Sequence, residues 1–358
     1  MVLESVEVSA VRNIEKGRLE ASPALNVVIG PNASGKTSLL EAIHLACLAR
    51  SFRTAKSSNV IRYGAEAAVV FARLREDSRI RRVGVRKARS GEWEIRLDGL
   101  RGTVADLARL TPLQVIAPGN QVLIEGGPDY RRRFLDWGAF HVEHGFHEAW
   151  QRLARTMRQR NAALRSGAAA RAVEAWDEAV IEAGEQVTGA RTRMVEALGD
   201  RLGSLIRELS GESFDVELRF RSGWRESETL GEALSRGLDR DRELGFTGVG
   251  PQRAELSIIV DGAAAAERLS RGQQKLLVIA LRLAQMDVVR EAVGQQCVVL
   301  VDDLPAELDR ERRDRVMRML AGRGAQAFVT ATEDHLIDDV AWRERKVFHV
   351  EQGVLSSD

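Results

Sequence analysis

The chain has 358 residues, 44% of them hydrophobic, enough for one large globular domain or two. Its net charge of +1 carries no global sign of nucleic-acid binding, so such affinity has to come from local clusters of Lys and Arg. No apolar run approaches the roughly 18 residues of a membrane helix, Glu4 and Glu7 stand where a secretory signal would be apolar, and six scattered histidines show no metal-ligand spacing. Two cysteines make no disulfide framework; Cys47 and Cys297 are expected as buried thiols in a reducing cytoplasm, with no membrane partner.

Residues 2–8 read as a strand, followed by Arg12. Residues 25–29, Leu-Asn-Val-Val-Ile, read as a buried strand, and residues 38–43 as the start of a helix. Between them lies Gly30-Pro31-Asn32-Ala33-Ser34-Gly35-Lys36-Thr37, the GxxxxGK[ST] spacing of a phosphate-binding P-loop. The glycines let the backbone wrap a phosphate, and the loop amides and helix N-terminus present donors and partial positive charge. Lys36 is expected to reach the β/γ-phosphates of ATP and the Thr37 hydroxyl to hold Mg²⁺. Arg50, Arg53, Lys56 and Arg62 form a basic cluster after the P-loop helix. Residues 80–85 and 93–97 alternate around Ser90-Gly91 as a β-hairpin, which carries Arg79, Arg81, Arg82, Arg86 and Lys87 as further candidate DNA contacts.

No proline occurs between Pro128 and Pro251. Within that gap Trp150, Leu153, Ala154, Met157 and Leu164 mark one helical face, Ser166-Gly167 breaks it, and a second stripe runs from Trp176 to Leu209. Two antiparallel helices in a short coiled-coil-like hairpin fit this pattern. Arg152, Arg155, Arg158, Arg160, Arg165 and Arg171 lie in a stretch with no acid between Ala149 and Arg171. Solvated helix faces usually mix signs, so this run and the cluster after the P-loop are candidate DNA contacts.

Beyond Pro251 the α/β pattern returns. Leu269-Ser270-Arg271-Gly272-Gln273-Gln274 precedes a helical run, and the apolar segment 297–301 ends in Asp302-Asp303, followed by Asp309. An apolar strand ending in an acid is the Mg²⁺-holding half of a P-loop ATPase. The order of P-loop, LSxGQ-like signature, paired acids and Leu-Asp turn is that of ABC-type ATPase heads. In that class Ser270, Gly272 and Gln273 would meet the γ-phosphate held by another protomer, so ATP would drive homodimerisation. Asp302 would hold Mg²⁺ and Asp303 would orient or deprotonate the attacking water. With Asp in place of the commoner Glu, slow hydrolysis suited to a switch is expected. Arg12 is expected at a phosphate or the adenine edge, and Thr330 in the place of the transporter switch histidine. Residues 354–358 are expected to fray. The fold class is therefore α/β, an ABC-type P-loop head split by an inserted α-helical arm: 1–128 the P-loop half, 129–249 the arm, 250–358 the signature half.

A P-loop head interrupted by a helical arm resembles the SMC and RecF ATPases. The residues are most similar to the RecF family: Arg12-Asn13, residues 30–43, Arg50-Ser51-Phe52-Arg53-Thr54, residues 127–136, residues 250–256, residues 269–285 and the acids at 302, 303 and 309. Gln252 stands where that family usually has His, and Pro118-Gly119-Asn120 departs from its acidic segment, so Gln114 and Gln121 both remain candidates for the Q-loop glutamine. The resemblance implies a cytoplasmic DNA repair protein that binds ATP and DNA (single-stranded, duplex or gapped junction) and works with RecR and RecO. It also implies a part in loading RecA on gaps during recombinational repair and SOS induction. A transporter ATPase subunit would carry no such arm. A long-range tether would need far more than the roughly 120 residues between the prolines, at ~1.5 Å of helix per residue.

Overall fold

The computed structural model describes residues 1–212, 214–337 and 339–357. Their contacts define two compact units, Met1–Asn120 with Gly294–Asp358, and Gln121–Val293. Residues 250–293, which the sequence pattern assigns to the second half of the head, pack with the helical unit.

The first unit contains a six-stranded sheet in the order Val354–Ser357, Arg345–Glu351, Leu25–Ile29, Gln326–Ala331, Val298–Val301, Leu113–Ile116. Only the outermost pair, Arg345–Glu351 with Val354–Ser357, is antiparallel. Parallel strands are covered on both faces and so read as continuous apolar runs; Leu25–Ile29 and Val298–Val301 are buried at every residue. Register decides what meets at the sheet's edge. Val301 pairs with Val329, and Ala331 with Ile29. The carboxyl ends of three neighbouring strands therefore carry Asp302, Thr330 and the P-loop, at the edge where open α/β sheets bind ligands.

A second, antiparallel sheet runs Ile14–Glu20, Val2–Val11, Ala67–Glu76, Arg79–Ala88, Trp93–Leu97, Leu100–Arg101. The helix Lys36–Leu48 is buried on nearly all sides, with polar side chains, Glu41 among them, included. Leu39, Leu40 and Ile43 share one core with Val6, Val70 and Val85 of this sheet and Leu300, Phe328 and Phe348 of the other. The expected hairpin forms, with Val85 opposite Ile95. Two expectations need correction here. Lys87 is not on a DNA-facing surface: it is 3% exposed, its ammonium 4.8 Å from the centre of the Trp93 ring. Residues 354–357 do not fray, because backbone pairing with Arg345–Glu351 orders them; Asp358 lies outside the described residues.

In the second unit the two expected helices are Phe146–Arg165 and Asp177–Ser210, with the break at Ser166-Gly167 where Gly167 takes φ 68°. Leu153 and Met157 interlock with Val180, Ala183, Val187 and Ala190. The helix Arg271–Val293 packs on Asp177–Ser210 and on Pro128–Val142.

Arg160 corrects the reading of the acid-free run. Leu153, Met157, Arg160 and Leu164 follow one helical stripe, so Arg160 faces the core at 0% exposure. Its guanidinium donates to Asp177 (2.7 Å), Asp241 (2.8 Å) and Thr247 (2.8 Å). Arg152, Arg155 and Arg158 lie on the exposed face, Arg152 paired with Glu182 at 2.8 Å. Removing one member of a buried charge network strands the others, at a cost of about 3–5 kcal/mol. Arg160→Ala should therefore lower the urea midpoint by that equivalent; an unchanged midpoint would mean the network contributes nothing to the fold.

Candidate nucleotide-binding site

The P-loop rests where its glycines allow it. A Cβ at Gly30 would lie 2.2 Å from the Val350 carbonyl oxygen, so only glycine lets the loop leave its strand against the neighbouring one. Gly35 caps the helix at φ 123°, in left-handed territory, with Asn13 pressed against it. Asn13 pins the loop from both sides: its amide donates to Ser34 O (3.0 Å) and its carbonyl accepts from the Ser38 hydroxyl (2.8 Å). Lys36 Nζ donates to the carbonyls of Gly30 (2.7 Å) and Pro31 (2.9 Å). Burial lowers the Lys36 pKa, and Asp303 and Asp302 act against that shift. Ser34 Oγ is buried and has no hydrogen-bond partner among the described residues. An unpartnered donor beside a buried ammonium at a helix N-terminus fits an anionic phosphate group.

Across the sheet edge, Thr37 Oγ1 donates to both oxygens of Asp302, at 2.9 and 3.1 Å, over a separation of 265 residues in sequence. Thr330 Oγ1 donates to Asp302 Oδ1 at 3.0 Å. Burial raises the Asp302 pKa and Asp303 adds to the rise, while the hydrogen bonds from Thr37 and Thr330 oppose it. A buried carboxylate beside a hydroxyl supplies hard oxygen ligands. Mg²⁺ is commonly held by one or two carboxylates plus substrate phosphates, so the pair fits that ion. Asp303 follows in a left-handed conformation, φ 52° and ψ 43°, heading a short helix to which its side chain gives no capping bond. Its carboxylate is therefore not spent on local structure.

These groups line one open cavity of about 920 Å³, which takes in Arg12, the P-loop from Asn32 to Ser38, Arg53, Asp302, Asp303 and Thr330. Arg12 is in the cavity wall but its guanidinium is held by Glu41, at 2.7 and 2.9 Å. Glu41 is fully buried and also lies 3.7 Å from Arg53 and receives the Ser51 hydroxyl. Arg53, expected at DNA, thus also stands at the cavity, while Arg50 and Lys56 are exposed nearby. Sequence reading missed Glu41 and Asn13 as organisers, and it missed Asn59, Ile61 and Tyr63 at the cavity. Tyr63 stands 100% exposed at the cavity, a placement that only the structure shows. Gln114 lies buried in the strand Leu113–Ile116, and Gln121 precedes the short helix Val122–Glu125.

In the second unit Ser270 caps the helix Arg271–Val293 reciprocally with Gln273. Ser270 Oγ accepts from Gln273 N (3.3 Å) and Gln273 Oε1 accepts from Ser270 N (3.0 Å). Gln273 Nε2 donates to Glu212 at 2.9 Å. Gly272 lies in the first turn, where helix amides have no partner within the helix.

A P-loop strand, an acid-bearing strand two positions away in a parallel sheet, and a capped LSxGQ-like helix define an ABC-type P-loop ATPase head. The family described as RecF/RecN/SMC N terminal domain matches residues 2–356. The DNA replication and repair protein RecF of Thioalkalivibrio sulfidiphilus is 44% identical over 358 residues, covering 99% of each chain. The chain belongs to the RecF family. A structure of the recombination mediator protein RecF with an ATP analogue, in the RecFOR pathway, superposes with a TM-score of 0.85 at 25% identity, covering 99% of this chain and 97% of that one. The Smc head domain from Pyrococcus furiosus shares the fold, with a TM-score of 0.62 at 17% identity over 100% of this chain and 96% of that one. No helix among the described residues is long and apolar enough to cross a membrane.

Proposed function

We propose that this chain is an ATP-dependent DNA-binding protein of recombinational repair that closes as a homodimeric clamp on gapped or junction DNA. The observation that carries the nucleotide part is the Thr37–Asp302 contact, which joins the P-loop to the acid-bearing strand at the C-terminal edge of the sheet. Lys36 and the loop amides would bind the β- and γ-phosphates, and Thr37 and Asp302 would hold Mg²⁺, which supplies charge neutralisation when bound. Asp303 would orient or deprotonate the water. Phosphoryl transfer depends mainly on positioning and charge stabilisation, so an aspartate, one methylene shorter than glutamate, suits a weak, DNA-stimulated ATPase that works as a switch.

The signature residues Ser270, Gly272 and Gln273 would meet the nucleotide of a second protomer. The exposed Arg152, Arg155 and Arg158, with Arg50, Arg53 and Lys56, are the candidate DNA contacts. Family kinship supports action with RecR and RecO in loading RecA, within replication, recombinational repair and the SOS response, in the cytoplasm. Binding to duplex, single-stranded and gapped DNA, with and without ATP across a salt series, tests the reading. Affinity for all three that ignores ATP would end the clamp. Ser270→Arg should bind ATP yet stay monomeric in sedimentation, because a bulky cation blocks the contact in trans. An ATP-induced dimer of that variant would refute the trans role of the signature.

A further inference from the structure

Thr330 is fully buried on the strand that lies between the P-loop strand and the acid strand. Its hydroxyl makes two bonds. Oγ1 donates to Asp302 Oδ1 at 3.0 Å and accepts the Asp303 backbone N–H at 2.7 Å. A hydroxyl has one proton, and here the Asp302 carboxylate takes it. While both bonds stand, Thr330 has no proton to offer a phosphate, so the sequence expectation that it replaces a phosphate-sensing histidine does not fit this geometry.

Asp303 needs such a support. It is a non-glycine residue in the left-handed region, at φ 52° and ψ 43°, a conformation that costs an L-residue energy and persists only where its surroundings impose it. Its side chain makes no capping bond to the helix it heads, and Pro305 immediately beyond Leu304 restricts the path of the chain. The Asp303 N–H is held by the Thr330 hydroxyl at 2.7 Å, and its carbonyl accepts the Ala306 N–H at 3.1 Å.

We propose that Thr330 is a positioning residue that ties the metal-side acid to the water-side acid: through one hydroxyl it holds Asp302 by its carboxylate and Asp303 by its amide. The geometry stands by itself; its catalytic consequence rests on the ATPase reading of the two acids. Loss of the hydroxyl should release the Asp303 backbone and blur the carboxylate's aim without removing a nucleotide contact.

The experiment compares Thr330→Val, which keeps the shape and loses the hydroxyl, with Thr330→Ser, which keeps the hydroxyl. Three quantities are read: amide hydrogen exchange at Asp303 in the nucleotide-free protein, the Kd for ATP, and kcat against KM. The valine variant should show faster exchange at Asp303 and a kcat lower by about tenfold, with the ATP Kd within about twofold of wild type; a bond worth ~1.4 kcal/mol converts to that factor. The serine variant should restore both. If valine does not fold, Thr330→Ala is read in the same way. Unchanged exchange in the hydroxyl-free variant overturns the tie whatever happens to turnover, and a fall in kcat with unchanged exchange would place Thr330 on the nucleotide itself. A wild-type protein that hydrolyses no ATP would end the ATPase reading, and exchange at Asp303 would still decide the tie.

Discussion

Lys36→Ala should abolish ATP-driven function, with turnover falling by about 10²–10³-fold, the range for removing one preorganised charge-stabilising donor. The reason is positional. Lys36 opens the helix that follows the loop, is 8% exposed, and already points its ammonium along the loop at the Gly30 and Pro31 carbonyls. Its intrinsic preference for charge is reduced by burial, so a phosphate that neutralises it gains more than it would at the surface. Alanine keeps the helix, because it is the strongest helix former and the P-loop backbone is set by Gly30, Gly35 and Asn13. The folded variant should therefore bind ATP weakly, fail to dimerise with it, and keep its thermal stability in the absence of nucleotide. Hydrolysis by Lys36→Ala at the wild-type rate would show that the P-loop assignment is wrong.

Asp303→Asn should separate binding from turnover. The amide keeps the shape and loses the charge, so ATP binding and dimerisation should survive. Hydrolysis should slow by about 10²–10⁴-fold, the usual contribution of a positioned general base. DNA should then dissociate more slowly after dilution, because the clamp opens only when its nucleotide is spent. Asp302→Asn should behave differently. That side chain is the partner of Thr37, and its replacement weakens Mg·ATP binding itself, so the dimer fails to assemble. Prolonged DNA residence is expected for Asp303→Asn alone. Release of DNA from that variant as fast as from wild type would mean that hydrolysis does not set the lifetime of the clamp.

Both predictions draw on residues that were legible without a structure. The P-loop is a run of eight consecutive residues whose chemistry lies in backbone conformation and in two side chains, and spacing along a chain encodes such local geometry directly. The same holds for the fully apolar strand before Asp302 and for the helical stripes of Phe146–Arg165 and Asp177–Ser210. What failed was the reading of charge. Arginine in an acid-free run looks solvent-facing, yet Arg160 falls on the helix's buried stripe and finds its carboxylates 17 and 81 residues away.

The amino-acid sequence alone determined the GxxxxGK[ST] loop, the LSxGQ-like helix start, the apolar strand that ends in Asp302 and the helical arm, because each is a local pattern with a local cause. Tertiary structure decided which of these groups meet. Thr37 reaches Asp302 across 265 residues, Arg12 is claimed by Glu41, and Thr330 joins the two acids. The Thr37–Asp302 and Thr330 contacts follow from strand order and register among the parallel strands, and the Arg12–Glu41 pair from the packing of the helix Lys36–Leu48 on the antiparallel sheet. A shift of one residue would turn Thr330 to the other face and dissolve the site while leaving every motif intact.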